Sequence, residues 1–211
     1  MNLFRLFAPV IWFFAVSVTA LAAEPTAKRT ILIVGDSLTA GYGLPDPATQ
    51  SYPALLQAKL DALPSSDWRI VNAGISGDTT SGGLRRIDWI TRQPVAILVL
   101  ALGANDGLRG LPLDLIRANL SAIVAKVRAK NPQVRVLLAG MFMPTSMGEY
   151  ARDYAQIYPA LAKAENWGLV PFLLEDVGGV TELNQADGIH PNESGHKIIA
   201  DKVWPHLLVL L

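Results

Sequence analysis

The chain contains the stretch ILIVGDSLTAGYG at residues 31–43, and this stretch decides the fold. Its first four residues are apolar and three of them are β-branched, which predicts a short buried strand. The strand ends at a turn that contains Ser37. A serine held on the turn after a central strand can face a cleft, where a nucleophile would act. The stretch alone favours a simpler interpretation, in which Ser37 caps the turn or a following helix.

The rest of the chain alternates between predicted strands and helices. The predicted strands are residues 31–34, 69–71, 95–102, 134–139 and 169–172. The predicted helices are residues 52–63, 81–92, 112–130, 149–166 and 192–204, with a kink at Pro159 and a break or bend at Pro205. Because residues 95–102 are nearly all apolar, we expect a strand buried on both faces. The alternation predicts a single three-layer α/β domain with a parallel sheet over residues 31–211.

The composition is typical of a globular protein with a large core. The 211 residues are 51% hydrophobic and 17% charged, and the formal net charge is +0. This balance favours neither nucleic acid nor an anionic membrane surface as the main partner, so we expect no nucleic-acid partner. The sequence has no cysteine, which excludes disulfide bonds and a thiol nucleophile.

The N-terminal residues have the features of a secretory signal peptide. Arg5 precedes an apolar run over residues 6–21, and small residues follow at a cleavage site. We expect cleavage after Ala22, with Ala23 as the alternative, and a linker over residues 23–30. An uncleaved anchor helix is the other possibility, but the run is short for a span of about 20 residues. The mature chain is then a periplasmic or secreted monomer without stable membrane insertion.

Four polar segments follow predicted strands or lie near the end of the chain. They are residues 35–37, 72–74, 103–106 and 187–191. In parallel sheets ligands bind outside the carboxyl ends of the strands, so we expect these segments to meet at one edge. Together they contain every group that acyl transfer to water requires.

The candidate catalytic residues are Ser37, His190 and Asp187. The Ser37 hydroxyl is a weak nucleophile until a base takes its proton. Histidine changes its charge near neutral pH, which suits His190 to the role of general base. Asp187 lies three residues before His190, where it can accept the second imidazole N–H and fix the tautomer. Taken alone, Asp187 could instead cap an ordinary turn.

A tetrahedral intermediate also needs donors directed at its oxyanion. The candidates are the backbone N–H groups of Ser37 and Gly74 and the side-chain amide of Asn105. Alternatively, Gly74 serves only a bend and Asn105 braces its own loop. We expect the remaining polar residues of these segments to hold loop shape (Asp36, Asp78, Asp106), and the other two histidines to be structural or exposed (His196, His206).

These segments resemble the blocks of the SGNH (GDSL) hydrolases. The matching residues are GDSL at 35–38, Gly74, GAND at 103–106 and DGIH at 187–190. The longer stretches at residues 72–79 and 103–110 are similar to the bacterial periplasmic acyl-CoA thioesterase, lysophospholipase and arylesterase branch. Ala104 departs from that branch, where a second glycine is common.

The resemblance implies a flavodoxin-like α/β/α fold with five parallel strands, and neither a metal nor a cofactor. It also implies a triad in which Ser37 is the nucleophile, Asp187 the orienting group and His190 the base. The oxyanion hole would consist of Ser37, Gly74 and Asn105.

The substrate is predicted less directly. Three methionines follow the fourth predicted strand, and two leucines follow the Asn105 segment; we expect them to bind an acyl chain (Met141, Met143, Met147, Leu108, Leu111). Alternatively, the methionines pack beneath their loop. The expected function is a serine esterase or thioesterase that hydrolyses small or lipid acyl esters (aryl esters, acyl-CoA thioesters, lysophospholipids) through an acyl-enzyme. The alternatives are a carbohydrate O-acetyl esterase and a non-catalytic ligand-binding module on the same fold.

Overall fold

The computed structural model describes residues 28–211. The predicted signal peptide at residues 1–22 and residues 23–27 of the predicted linker lie outside this part of the chain. The first element is strand β1, Arg29–Gly35, which begins two residues earlier than predicted. All of its residues after Arg29 are buried.

Within residues 28–211, five strands form one parallel sheet. After β1 come β2 (Trp68–Gly74), β3 (Ile97–Ala101), β4 (Arg135–Ala139) and β5 (Gly168–Val170). The strand order is β2-β1-β3-β4-β5, and every neighbouring pair is parallel. The chain moves from β1 to one side and then returns to place β3 on the other. This reversal opens a crevice at the carboxyl ends of β1 and β3. The predicted five-stranded parallel α/β fold is confirmed.

Helices connect the strands and cover the sheet. They are α1 (Ser37–Ala40), α2 (Pro47–Gln50), α3 (Tyr52–Asp61), α4 (Thr80–Ile90), α5 (Ala104–Leu108), α6 (Leu113–Lys130), α7 (Glu149–Tyr154), α8 (Ile157–Glu165) and α9 (Glu193–Leu208). Helix α3 packs against α9, α4 packs against α6, and α6 also contacts α8. Because every residue of β3 is buried, the sheet must be covered on both faces.

Two of the predicted helices differ from the structure. The helix predicted over residues 149–166 is two helices, α7 and α8. Pro159 lies in the first turn of α8, where a missing N–H removes no helical hydrogen bond. Helix α9 continues through Pro205 to Leu208, because the buried side chains of Val203 and Leu207 hold the chain on both sides of the proline. Of the two predicted outcomes at Pro205, the break is therefore wrong, and the bend stays a prediction.

Three short helices were not predicted. Helices α1, α2 and α5 have four or five residues each, which is too short to show a helical period in the sequence. Two of them begin at the candidate site: α1 starts with Ser37, and α5 contains Asn105.

Candidate active site

Ser37 is the first residue of α1, immediately after the carboxyl end of β1. Asp36 caps this helix, since its Oδ1 accepts the Leu38 N–H at 3.0 Å. Two residues after Ser37, the buried Thr39 Oγ1 lies 2.8 Å from the Tyr52 hydroxyl of α3. These contacts fix the turn between strand and helix. The Ser37 side chain lines a cavity at the edge of the sheet.

The structure brings the three predicted catalytic side chains together across 153 residues of sequence. His190 Nε2 lies 3.0 Å from Ser37 Oγ, and His190 Nδ1 lies 2.7 Å from Asp187 Oδ2. The second carboxylate oxygen, Asp187 Oδ1, accepts the backbone N–H groups of Ile189 and His190 at 2.9 and 3.0 Å. The hydrogen bonds from the backbone and side chain of His190 lower the pKa of Asp187 to about 2.

The charge of Asp187 determines which imidazole nitrogen carries the proton. An ionised carboxylate can only accept hydrogen bonds, so Nδ1 of His190 must be the donor in this contact. The lone pair of Nε2 then faces the hydroxyl of Ser37. This is the tautomer that can take the serine proton during nucleophilic attack.

Two of the predicted oxyanion donors have an N–H group free beside Ser37. The Ser37 N–H lies in the first turn of α1 and makes no hydrogen bond to residues 28–211. The Asn105 amide nitrogen donates to the Asp78 carbonyl at 2.9 Å. Because an amide carries two N–H groups, the second remains available to a ligand. Both residues line the cavity.

Gly74 has a different environment from the one that the sequence indicated. Its N–H donates to Asn72 Oδ1 at 2.9 Å, and neither Gly74 nor Gly77 is among the residues that line the cavity. A Cβ at this position would overlap the backbone of Ala40, so the glycine permits α1 to approach β2 closely. The same loop contains Gly77, whose N–H makes no hydrogen bond within the described part of the chain. Its neighbour Asp78 supplies the carbonyl that holds Asn105.

The remaining polar residues of the site hold its loops, as predicted. Burial of Asp36 raises its pKa to about 6. Asp78 forms an ion pair with Arg86 at 2.8 Å, and Arg86 also donates to the carbonyl of Gly35 at 3.2 Å. The fully buried Asp106 accepts the Thr80 N–H, which ties α5 to the start of α4.

The other two histidines lie away from the three catalytic candidates. The Nδ1 atom of the buried His196 accepts the Tyr52 N–H at 3.2 Å, and burial lowers its pKa to about 4, so it is neutral at pH 7. His206 lies near the end of α9 and is half-buried.

The cavity beside Ser37 has a volume of about 580 Å³ and largely apolar walls. Of the predicted acyl-chain residues, Leu108, Met141 and Met143 line it. Leu111 and Met147 are not lining residues. Sequence reasoning missed six apolar side chains that do line the cavity: Leu38, Phe142, Pro144, Phe172, Leu174 and Ile189.

The rings of Phe142 and Phe172 stack with centroids 4.7 Å apart, so they form one wall of the cavity. Phe142 lies between Met141 and Met143, which the sequence analysis predicted to bind the acyl chain. This position is the only feature of the sequence that could have indicated Phe142. Phe172 and Leu174 follow β5, a strand whose carboxyl end no motif marks.

A helix long and apolar enough to cross a bilayer is absent from residues 28–211. The same residues include no group of three or more histidines, aspartates and glutamates placed to hold a metal ion.

An α/β domain with serine, histidine and aspartate in hydrogen-bond contact at the carboxyl edge of its sheet is the architecture of a serine-type acyl hydrolase. Residues 33–198 match the model of the GDSL-like Lipase/Acylhydrolase family, and the chain belongs to this family. The predicted family is therefore confirmed.

Relatives of known function agree with this assignment. Esterase TesA of Pseudomonas aeruginosa is 42% identical over 193 residues, which are 90% of this chain and 94% of the relative. Thioesterase 1/protease 1/lysophospholipase L1 of Escherichia coli (strain K12) is 38% identical over 202 residues, 95% of this chain and 91% of the relative. The crystal structure of the psychrotrophic esterase EstA from Pseudoalteromonas sp., inhibited by monoethylphosphonate, has a TM-score of 0.78 at 35% identity and covers 86% of this chain and 98% of its own. The protein is an enzyme that hydrolyses acyl esters, and the predicted branch is confirmed.

Replacing Asp187 with asparagine tests the tautomer argument. In Asp187→Asn the amide nitrogen can donate to His190 Nδ1, which leaves the ring proton on Nε2 facing Ser37. We expect kcat to fall by about 10⁴-fold, since the imidazole can no longer accept the serine proton. The measurement is kcat/KM between pH 4 and 9 for both proteins.

The wild-type profile provides the control for that variant. The pKa of Asp187 is lowered to about 2, so the carboxylate stays ionised throughout this range. Its contribution to stability is present above about pH 4 and is lost as the pH falls through 2. Loss of wild-type activity between pH 8 and 4 is therefore not caused by protonation of Asp187. A variant within tenfold of the wild type would contradict the assignment.

Proposed function

We propose that Ser37 is the nucleophile, His190 the general base and Asp187 the group that orients the imidazole. The observation that carries this proposal is the unbroken series of contacts from Ser37 Oγ through both imidazole nitrogens to the ionised carboxylate. For the oxyanion we propose the Ser37 N–H and the Asn105 amide as two donors. The third is the N–H of Gly77 in place of Gly74, whose N–H is bonded to Asn72.

The proposed reaction proceeds in two halves. Ser37 Oγ attacks the acyl carbon while His190 Nε2 takes its proton, and the carbonyl oxygen becomes an oxyanion held by the N–H donors. The intermediate collapses when His190 returns the proton to the leaving alkoxide, aryloxide or thiolate. Water then attacks the acyl-enzyme with His190 again as base, releasing the carboxylic acid and restoring Ser37. Every group that takes part in these reaction steps belongs to the chain, the substrate or water.

The substrate proposed for this site has a hydrocarbon acyl chain. The walls of the cavity are supplied by leucine, isoleucine, methionine and phenylalanine side chains, and its volume is typical of pockets that bury a small molecule. The names of the relatives include esterase, thioesterase and lysophospholipase, and each of these activities cleaves an acyl group from a leaving group. Oxyesters, acyl thioesters and lysophospholipids are therefore the proposed substrate classes.

The two alternatives fit the site less well. Carbohydrate acetyl esters would need polar walls for their hydroxyl groups, and the residues around this cavity offer few. A non-catalytic binding module would have no use for an imidazole aligned between a hydroxyl and an ionised carboxylate.

Alanine at Ser37 is the direct test of the nucleophile. Ser37→Ala removes the atom that forms the acyl-enzyme, so we expect kcat for p-nitrophenyl esters to fall by about 10⁴-fold or more. Labelling by a fluorophosphonate should also be lost. Ser194→Ala, on the exposed first turn of α9, is the matched control and should be labelled as fast as the wild type. Labelling that persists in Ser37→Ala would overturn the proposal.

Chain-length preference tests the acyl cavity. Each methylene that becomes buried contributes about 0.8 kcal/mol, or roughly fourfold in kcat/KM, until the cavity is filled. Met143→Ala enlarges the cavity, so we expect the preferred p-nitrophenyl ester to become longer while acetyl ester turnover stays within about threefold. Met147→Ala removes a methionine of the same loop that does not line the cavity, and its preference should match the wild type. Equal shifts in both variants would show that the cavity does not select the acyl chain.

We also propose that the chain is exported as a monomer to the periplasm or the medium. The support is the sequence pattern of residues 1–22, together with a described domain in which no helix is suited to span a bilayer. Cleavage after Ala22 leaves Ala23 as the first residue. N-terminal sequencing of the exported protein measures this directly, and an intact Met1 on the exported chain would contradict it.

A further inference from the structure

His190 lies in a loop without helix or strand, and this base loop comprises residues 184–191. It makes hydrogen bonds both within itself and to other residues; at its start, Asn184 Nδ2 donates to the carbonyls of Val177 and Val180, both at 2.7 Å. Asn184 and Pro191 form an isolated antiparallel bridge at its ends. The Gln185 N–H donates to the His190 carbonyl at 2.7 Å, and the Gly188 N–H donates to the Gln185 carbonyl at 2.9 Å. These bonds give the loop its shape but leave open what fixes it relative to Ser37.

We call residues 36–43 the nucleophile segment. In the part of the chain that the structure describes, two hydrogen bonds join the base loop to this segment. One is the contact of His190 with Ser37 itself. In the other, Gln185 Nε2 donates to the Tyr42 carbonyl at 2.6 Å. The same nitrogen also donates to the Pro191 carbonyl at 3.0 Å, so both amide N–H groups are used.

Tyr42 connects this bond to the serine. The Tyr42 N–H donates to the Ser37 carbonyl at 3.0 Å. Its ring also packs on the imidazole of His190, with centroids 4.7 Å apart. A hydrogen-bonded path therefore runs from Pro191 through the Gln185 amide and Tyr42 to Ser37, beside the direct contact between the two catalytic candidates.

Gly43 makes room for the Gln185 side chain. Its φ is +74°, and a Cβ at this position would overlap the Gln185 amide. The amide thus lies directly on the backbone of the nucleophile segment. A longer residue at position 43 would push it away from Tyr42.

We propose that Gln185 is a positioning residue for the base, and that its amide sets the separation of His190 Nε2 from Ser37 Oγ through the Tyr42 and Pro191 carbonyls. This inference rests on the proposed roles of Ser37 and His190. Its physical basis is that proton transfer requires the base within hydrogen-bond reach of the nucleophile, and that a displacement of about 1 Å can cost a factor of about 10² in rate. Gln185 makes no hydrogen bond to the Ser37 hydroxyl or to the imidazole ring of His190, because its amide donates to the Tyr42 and Pro191 carbonyls.

The test is Gln185→Met, which keeps the length of the side chain and removes both N–H donors. We expect kcat for a short p-nitrophenyl ester to fall by about 10- to 100-fold, with KM changed by less than threefold. The rate of fluorophosphonate labelling should fall by the same factor, because it also requires the Ser37 and His190 pair. Assays are run well below the thermal midpoint of each variant.

Gln57→Met is the matched control. Gln57 also bridges two elements through its amide: Oε1 accepts the Ile70 N–H at 2.6 Å, while Nε2 donates to Asp61 of α3. This variant should lower the thermal midpoint and leave kcat within twofold. If Gln185→Met behaves in the same way, with lower stability and an unchanged kcat, Gln185 is only structural and the proposal fails.

A second pair of variants applies if Gln185→Met does not fold. Gly43→Ala keeps the amide but displaces it, whereas Gly148→Ala strains a glycine with φ +60° and has no neighbour within 4 Å to displace. A loss of kcat confined to Gly43→Ala supports the positioning role, and equal kcat values in both variants overturn it. Ser37→Ala separates the two proposals. If it is inactive while Gln185→Met is fully active, only the positioning role is wrong; if Ser37→Ala is active, the proposed catalytic roles fail.

Discussion

The pairing of β1 with a strand on each side is the constraint on which the site depends. In the register of the sheet, Gly35 at the end of β1 is level with Gly74 of β2 and Ala101 of β3. Because these parallel strands end at the same level, the segments that follow them begin beside one another. Strand β1 is buried along six of its seven residues, and a shift by one residue would exchange the side chains that pack on its two faces.

One largely buried arginine extends this order from the strands to the loops. Arg86 of α4 contacts Asp78 in the loop after β2 and donates to the Gly35 carbonyl at the end of β1. The carbonyl of Asp78 in turn holds the amide of Asn105. Because both side chains are largely buried, separating the two loops would leave each charge without its partner. The serine turn and the proposed oxyanion donors are thus parts of a single hydrogen-bonded network.

The sequence was sufficient to predict which side chains meet at the site. It was insufficient to predict which backbone N–H groups are free to bind a ligand. The contact of Ser37, Asp187 and His190 could be predicted because each carries a distinctive group and the spacing of Asp187 and His190 keeps their contact local. Whether Gly74 can act as an oxyanion donor could not be predicted from its residue type. Whether its N–H is free depends on a hydrogen bond to Asn72, and a glycine that permits close packing looks the same in a sequence as one that binds a ligand.

The acyl cavity shows why substrate is harder to predict than reaction. Its walls come from the ends of several strands and from the base loop, and the two rings that stack are 30 residues apart in the sequence (Phe142 and Phe172). Met143 faces the cavity while Met147 ends a short 3₁₀ turn outside it, although both belong to one methionine-rich loop. Catalysis needs a few fixed groups, whereas the shape of the cavity depends on the path of every loop. Relatives that are 38–42% identical to this chain can therefore share the hydrolysis of acyl groups and still bear names that refer to different substrates.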